Sequence, residues 1–261
     1  MGGAMGGSLD RYSRQMLFPG IGEAGQQALA AATVVLVGCG ALGAAIADTL
    51  VRAGFGRLRI VDRDVVELSN LQRQMLFDED DVAQRRPKAL AAARRLREIN
   101  SAVAVEPVVG ELRADNCLAL LAGADLVLDG TDNFETRYLI NEACVWLGIP
   151  WVYGGVIGAS GMSMTVRPGR SACLRCVFRE PPPRGSLPTA DVGGVIAPVV
   201  RVISSVEVSE GMKLLVGTGR INPGLLSVEL WEMQWDLVEL ASPDPDCPVC
   251  GQHRFSLLDP S

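Results

Sequence analysis

Three groups of residues in this 261-residue chain have the types and spacing to handle a polyphosphate. The first is Gly38-Cys39-Gly40-Ala41-Leu42-Gly43, which fits G-x-G-x-x-G. Glycines let a backbone approach a phosphate-bearing ligand, and the helix start that follows presents free N–H groups and a partial positive charge. The second is Asp62, 19 residues past Gly43, at the end of the next expected strand, where a carboxylate can hold ribose hydroxyls. These two serve NAD as well as ATP. The third group separates them. Asn70, Arg73 and Lys88 follow Asp62 within one loop and the next helix start, and Asp129-Gly130-Thr131-Asp132-Asn133 follows a later strand. In an open α/β sheet the carboxyl ends of neighbouring strands face one crevice. Two cations and an amide on one side of it, with a carboxylate for Mg2+ on the other, would clamp phosphates that are about to be cut. Hydride transfer has little use for such a clamp.

Strands alternating with helices must position these groups. Residues 33–37 are an apolar, β-branched run that reads as a buried strand, and an Ala/Leu-rich helix follows the glycines and ends near Gly54. Further strands are expected over 59–61, 103–108 and 124–128, and helices over 88–99 and 134–147. That order predicts an α/β fold, a Rossmann-like, doubly wound and mostly parallel sheet. Beyond Pro150 the pattern changes. Residues 151–156 and 162–166 read as a hairpin, followed by a Pro/Gly-rich crossover loop (179–193), a helix over 197–215 ending near Gly217, and one or two strands within 228–240 facing a core on one side. The second half is expected to extend the same sheet with antiparallel strands. Residues 9–261 then form a single domain with a nucleotide-binding half (9–150) and a second half (151–261), after a disordered leader over 1–8.

The balance of 24 basic and 30 acidic residues, net charge −6, argues against a nucleic-acid partner. No apolar run is long enough to span a bilayer, and the N-terminus lacks the pattern of a signal peptide, so the expected setting is cytoplasmic. Of seven cysteines, Cys39, Cys117 and Cys144 sit singly among small or apolar neighbours and read as packing residues. Cys173-Leu174-Arg175-Cys176 and Cys247-Pro248-Val249-Cys250 form two C-x-x-C pairs. One pair could be a redox couple; two favour a tetrahedral Zn2+ site with four thiolates. Every position would be a protein ligand, which makes the metal structural, tying the C-terminal tail to the segment after the hairpin and closing a loop of about 70 residues. The one histidine, His253, reads as a surface residue.

Taken in order, Arg11-Tyr12-Ser13-Arg14-Gln15, the glycine loop, Ser69-Asn70-Leu71-Gln72-Arg73-Gln74, Thr131-Asp132-Asn133 and the two C-x-x-C pairs resemble the ThiF/MoeB/HesA superfamily, relatives of the adenylation domain of ubiquitin-activating enzymes. The resemblance runs from about residue 10 to 251. It implies an ATP-dependent adenylyltransferase acting on the C-terminal glycine of a small ubiquitin-like sulfur-carrier protein ending in Gly-Gly, with residues 151–261 as the carrier-binding half. By position, Asp62 is implied as the ribose carboxylate, with Asn70, Arg73 and Lys88 on the phosphates. Asp132 is the Mg2+-associated residue, and Arg14 reaches into the partner's site of a homodimer. One position departs from the family. Where many members carry a crossover-loop cysteine, this chain has Ala190, within Ser186-Leu187-Pro188-Thr189-Ala190-Asp191. A methyl group is no nucleophile, so the chain is expected to stop at the acyl-adenylate. The flanks keep the family pattern, which favours a replaced native cysteine over an adenylation-only member. The alternatives are an NAD-dependent oxidoreductase with the same first half and a non-catalytic, zinc-containing scaffold.

Overall fold

The architecture was taken from a computed structural model, which describes residues 10–180, 193–240 and 242–258. The expected leader over 1–8 and most of the crossover loop, Ala190 included, lie outside the described residues. Eight strands form one sheet in the order β3-β2-β1-β4-β5-β6-β7-β8. The first five are parallel: β1 (Thr33–Val37), β2 (Arg57–Asp62), β3 (Ala104–Val109), β4 (Leu126–Asp129) and β5 (Trp151–Ile157). The rest, β6 (Ser160–Val166), β7 (Gly224–Glu229) and β8 (Gln234–Glu239), are antiparallel to their neighbours. The sheet therefore continues from the first half of the chain into the second.

Side-chain alternation divides the core into two layers. Val34 and Leu36 of β1, Leu126 and Leu128 of β4 and Val152 of β5 face one side. Val35, Val37, Val127, Trp151 and Tyr153 face the other, as the two-residue strand period requires. A strand buried on both faces reads as a continuous apolar run, the usual appearance of a parallel strand. The first layer is covered by α3 (Ala41–Ala53), α5 (Lys88–Ile99) and α9 (Ala197–Val216), which supply Ile46, Leu50, Leu96 and Ile203. The second is covered by α6 (Cys117–Leu121), α7 (Phe134–Leu147) and the cysteine-bearing loops. Fully burying each large aliphatic contributes about 1.5–3 kcal/mol.

The helix ends follow from their terminal residues. Glycines in the left-handed conformation, Gly54 (φ 82°), Gly148 (φ 71°) and Gly217 (φ 75°), stop α3, α7 and α9. Asn133 caps α7 by accepting from Thr136 N at 2.9 Å. Three short helices complete the fold: α1 (Ser13–Met16), α4 (Glu79–Ala83) and α8 (Leu174–Val177), with α2 (Gly22–Ala31) between α1 and β1. One expectation is corrected. The alternation over 228–240 suggested one or two strands facing a core on one side; it spans the turn of a hairpin, and while Val228 of β7 is buried in the first layer, every residue of β8 is exposed. With no layer packed on it among the described residues, this edge strand buries neither face.

Candidate active site

The strand order reverses between β1 and β4, the pair flanked by β2 on one side and β5 on the other. Ligands of open α/β sheets bind in the crevice outside the strand ends at such a switch point. Here the backbone is packed too tightly for side chains. A Cβ on Gly38, whose φ is +87°, would lie 2.6 Å from the Gly130 carbonyl oxygen, and one on Gly43 would lie 2.0 Å from that of Gly38. The loop after β1, the first turn of α3 and the loop after β4 thus close on one another. Gly40 begins α3 with no side-chain cap and no acidic residue in the first turn. The first N–H groups of the helix keep their positive end for an anion.

Asp62 ends β2 beside this loop. Its Oδ2 accepts from Cys39 N at 2.6 Å and its Oδ1 from Asp64 N at 2.8 Å. Burial raises its carboxyl above the usual range, while those two amides and Lys88 favour the carboxylate. Lys88, 7% exposed, opens α5 and is held on Asp64 twice, by Nζ on Oδ2 at 3.1 Å and by its backbone N on the carbonyl at 2.8 Å. Asp64 carried no signal in the sequence. Burial pushes the Cys39 thiol far up, so this cysteine is packing and not nucleophile.

Asn70 is buried, its Oδ1 accepting from Glu67 N at 3.2 Å in a reciprocal cap of the turn over Leu68–Asn70. Arg73 donates Nη1 to Ser69 O at 2.9 Å, and neither Arg73 nor Arg14 has an ion-pair partner among the described residues. Gln74 was not singled out from sequence. It is 4% exposed, its Oε1 has no partner among the described residues, and its Nε2 lies 3.9 Å from where a Gly40 Cβ would be. It brings the 69–74 segment against the glycine loop.

Across the crevice, the two carboxylates after β4 differ sharply. Asp129 is fully buried and committed: Oδ2 to Arg137 Nε at 2.9 Å, Oδ1 to Thr131 N at 2.8 Å and Oγ1 at 2.6 Å. Asp132 is exposed. Its Oδ1 accepts from Asn133 Nδ2 at 3.3 Å, and its Oδ2 has no protein partner among the described residues. A hard cation needs available carboxylate oxygens, and of the two only Asp132 offers them.

Arg14 stands elsewhere. The adjacent Gln15 donates Nε2 to Ala53 O at 3.0 Å, and Asn100, which caps the end of α5, donates Nδ2 to Tyr12 Oη at 2.8 Å. The segment around α1 therefore docks at the C-terminal end of α3, and the glycine loop is at the N-terminal end. Thirteen residues of helix separate them, roughly 20 Å.

The four cysteines come together. Cys173 and Cys247 sulfurs are 3.7 Å apart, Cys173 and Cys176 3.9 Å, Cys176 and Cys250 3.3 Å, and all four lie within 4.8 Å of one another. A tetrahedral ion with Zn–S bonds of about 2.3 Å places its sulfurs about 3.8 Å apart, so the donor set fits that metal. Hydrogen bonding between Cys173 and Cys176 raises the first thiol and lowers the second. Four thiolates so close need a cation. Asn141 of α7 supports the group, donating to Cys173 Sγ at 3.6 Å and accepting from Leu174 N at 3.0 Å. His253 is exposed and distant in sequence from the glycine loop.

A glycine-closed switch point on a doubly wound sheet, beside a four-cysteine cluster, places the chain among α/β folds that take ligands at their strand ends. The chain belongs to the ThiF family, which it matches over residues 12–249. It is 46% identical over 249 residues to the sulfur carrier protein ThiS adenylyltransferase of Bacillus subtilis (strain 168), covering 95% of this chain and 73% of that protein. It is 41% identical to the sulfur carrier protein adenylyltransferase of Thermus thermophilus, covering 93% and 91%. Among solved structures, E. coli MccB with ATP superposes with a TM-score of 0.80 at 25% identity, covering 92% of this chain and 74% of that one. The protein is an adenylyltransferase of the ThiF/MoeB type; the comparisons lend nothing to the oxidoreductase reading. No helix among the described residues is long and apolar enough to cross a membrane.

Proposed function

We propose that this protein uses ATP and Mg2+ to adenylate the C-terminal glycine carboxylate of a small ubiquitin-like sulfur-carrier protein ending in Gly-Gly, releasing pyrophosphate. The observation that carries the reading is the uncapped start of α3 at the switch point, closed on by Gly38, Gly43 and Gly130 and flanked by Asp62 and Lys88. The names of the relatives supply the acceptor class.

A C-terminal carboxylate is ionised near neutral pH, so its attack on the α-phosphate needs no general base. Repulsion between that anion and the polyphosphate is the obstacle. Asp62 takes the ribose hydroxyls, and the amides from Gly38 to Gly43 hold the phosphates in line. Arg73 and Lys88 neutralise the phosphate charge, Asn70 offers its side-chain amide N–H groups to a phosphate oxygen, and Asp132 is the residue that would hold Mg2+, which would spread the charge developing on the leaving pyrophosphate. Arg14 adds its charge from a second copy of the chain, because its own crevice is at the far end of α3. We therefore assign the active unit as a homodimer. Cys173, Cys176, Cys247 and Cys250 would bind structural Zn2+, and seven unpaired cysteines suit a reducing, cytoplasmic setting. With alanine at 190, the chain releases or holds the acyl-adenylate and forms no covalent carrier conjugate there.

The test is ATP–pyrophosphate exchange with Mg2+ against a panel of small proteins ending in Gly-Gly. Exchange should appear with one panel member and vanish without it. Absence of exchange with every member, in protein that contains zinc and binds ATP, would overturn the acceptor assignment.

A further inference from the structure

Arg137 opens into the first turn of α7 and is 5% exposed. Its Nε donates to Asp129 Oδ2 at 2.9 Å, and its Nη2 donates to Thr131 O at 2.8 Å and to Gly154 O at 2.9 Å. Its guanidinium carbon lies 5.2 Å from the Phe134 ring centre and 5.1 Å from that of Tyr153. Burial works against its charge, and Asp129, Tyr153 and Asp132 together more than offset the penalty.

These contacts converge on one residue. Thr131 is held by its N–H and hydroxyl on Asp129 Oδ1 and by its carbonyl on Arg137. On the other side of Asp132, Asn133 is fixed as the N-cap of α7 through Thr136 N. Asp132 thus projects from a backbone pinned at both neighbours, although its own side chain is exposed. A buried ion pair that only stapled β4 to α7 would need one bidentate contact between Asp129 and Arg137. Here each partner also spends hydrogen-bonding capacity on Thr131. Arg137 also reads β5 through Gly154, whose other face is closed by the Glu207 carboxyl, 2.0 Å from where a Cβ would sit.

We propose that Arg137 is a positioning residue for adenylation, acting with Asp129 through Thr131 to fix the Asp132 carboxylate where it meets the metal–nucleotide. This rests on the assignment of Asp132 to the metal given above. Only a guanidinium fork reaches three acceptors in these directions at once; a lysine ammonium keeps the charge and loses the geometry.

The test uses intact, zinc-loaded protein and needs no carrier. Arg137→Lys, Thr131→Val, Asp132→Ala and the two double variants are titrated with Mn2+·ATP and with ATP in the absence of divalent ions. Zinc content and urea midpoints are recorded for each. Loss of a residue that orients a metal ligand costs roughly 10–100-fold in metal affinity. Arg137→Lys and Thr131→Val should each weaken Mn2+·ATP binding by about tenfold at least while leaving metal-free ATP binding unchanged. Neither should weaken it further in the Asp132→Ala background, because residues acting through one group are non-additive. Losses that persist in that background, or that fall equally on metal-free ATP, overturn the proposal and make Arg137 a fold staple. Unchanged Mn2+·ATP binding by Asp132→Ala alone refutes the metal assignment beneath it, a distinguishable failure. If Arg137→Lys does not fold, Thr131→Val, which exchanges only a hydroxyl for a methyl, carries the same comparison.

Discussion

Gly43→Ala tests the claim that the nucleotide site is built from backbone. A Cβ there would sit 2.0 Å from the Gly38 carbonyl oxygen and 3.6 Å from Gly130 Cα. Relieving that clash requires the first turn of α3 and the loop after β1 to separate by about 1 Å, since real Cβ contacts stay beyond about 3 Å. Overpacking of this kind costs about 1–3 kcal/mol of stability. The same displacement moves the phosphate-facing amides, and a 1 Å misplacement of reacting groups can cost about 100-fold in rate. The assay is ATP–pyrophosphate exchange, with urea unfolding and zinc content as folding controls. Gly43→Ala should lose about 100-fold in exchange at conditions where it stays folded. Gly110→Ala, where nothing lies within 4 Å of the added Cβ, should match the wild type. Exchange by Gly43→Ala within about twofold of wild type would refute the reasoning, because the glycine loop would then be tolerant of the separation it is argued to forbid.

Three further outcomes are expected. Mixing Arg14→Ala protein with Asp132→Ala protein should restore exchange toward about a quarter of wild type, since half the dimers are hybrids with one intact site; no rescue despite confirmed subunit exchange would argue that each chain completes its own site. Cys250→Ser should abolish stoichiometric zinc binding and leave residues 242–258 open to protease while nucleotide binding persists; retained zinc would remove Cys250 from the ligand set. Glu207 is fully buried with neither oxygen in a well-formed hydrogen bond among the described residues, and burial first, then the nearby Asp129 charge, raises its carboxyl well above 4.5. Between the ordinary and the raised value the native state holds a proton that the unfolded chain has released, so stability falls as pH rises through that window. Glu207→Gln should remove this slope in urea midpoints measured across it, and parallel pH profiles for the two proteins would contradict the assignment.

The central strands and helices were legible because local signals agreed with the global fold. The helix over Lys88–Ile99 and that over Phe134–Leu147 carry a preceding Pro87 and an Asn133 cap, and Gly148 follows the second. β1 reads as a strand because both its faces are buried. What escaped was set by contacts distant in sequence. The short helix Glu79–Ala83 has too few residues for periodicity and is held by the cap of Asp78 and by buried Asp81, on which Arg86 and Arg94 converge. Arg137 finds its acceptors at Asp129, Thr131 and Gly154, a set with no motif. The residues proposed to handle phosphate were visible by type, but their state was not: Lys88 is tethered by Asp64, and Asp129 is committed where Asp132 accepts only from Asn133 among the described residues.

The position of Arg14 makes the proposed homodimer depend on a single element, α3. α3 directs its free N–H groups to the crevice, and its other end is closed by Gly54, whose missing Cβ leaves room for the Tyr12 ring at 2.4 Å from that position. A side chain larger than glycine at 54 would displace the segment that carries Arg14. The fold therefore holds the segment that carries Arg14 about 20 Å from the phosphates this arginine is proposed to contact. If the arginine is needed for transfer and not for binding ATP, then removing residues 1–16 should leave nucleotide affinity intact and abolish exchange. Adding Asp132→Ala chains, whose Arg14 is intact, should return exchange at the truncated chain's own crevice. Exchange by the truncated chain alone would place the neutralising charge elsewhere, with Arg73, which has no ion-pair partner among the described residues, the next candidate.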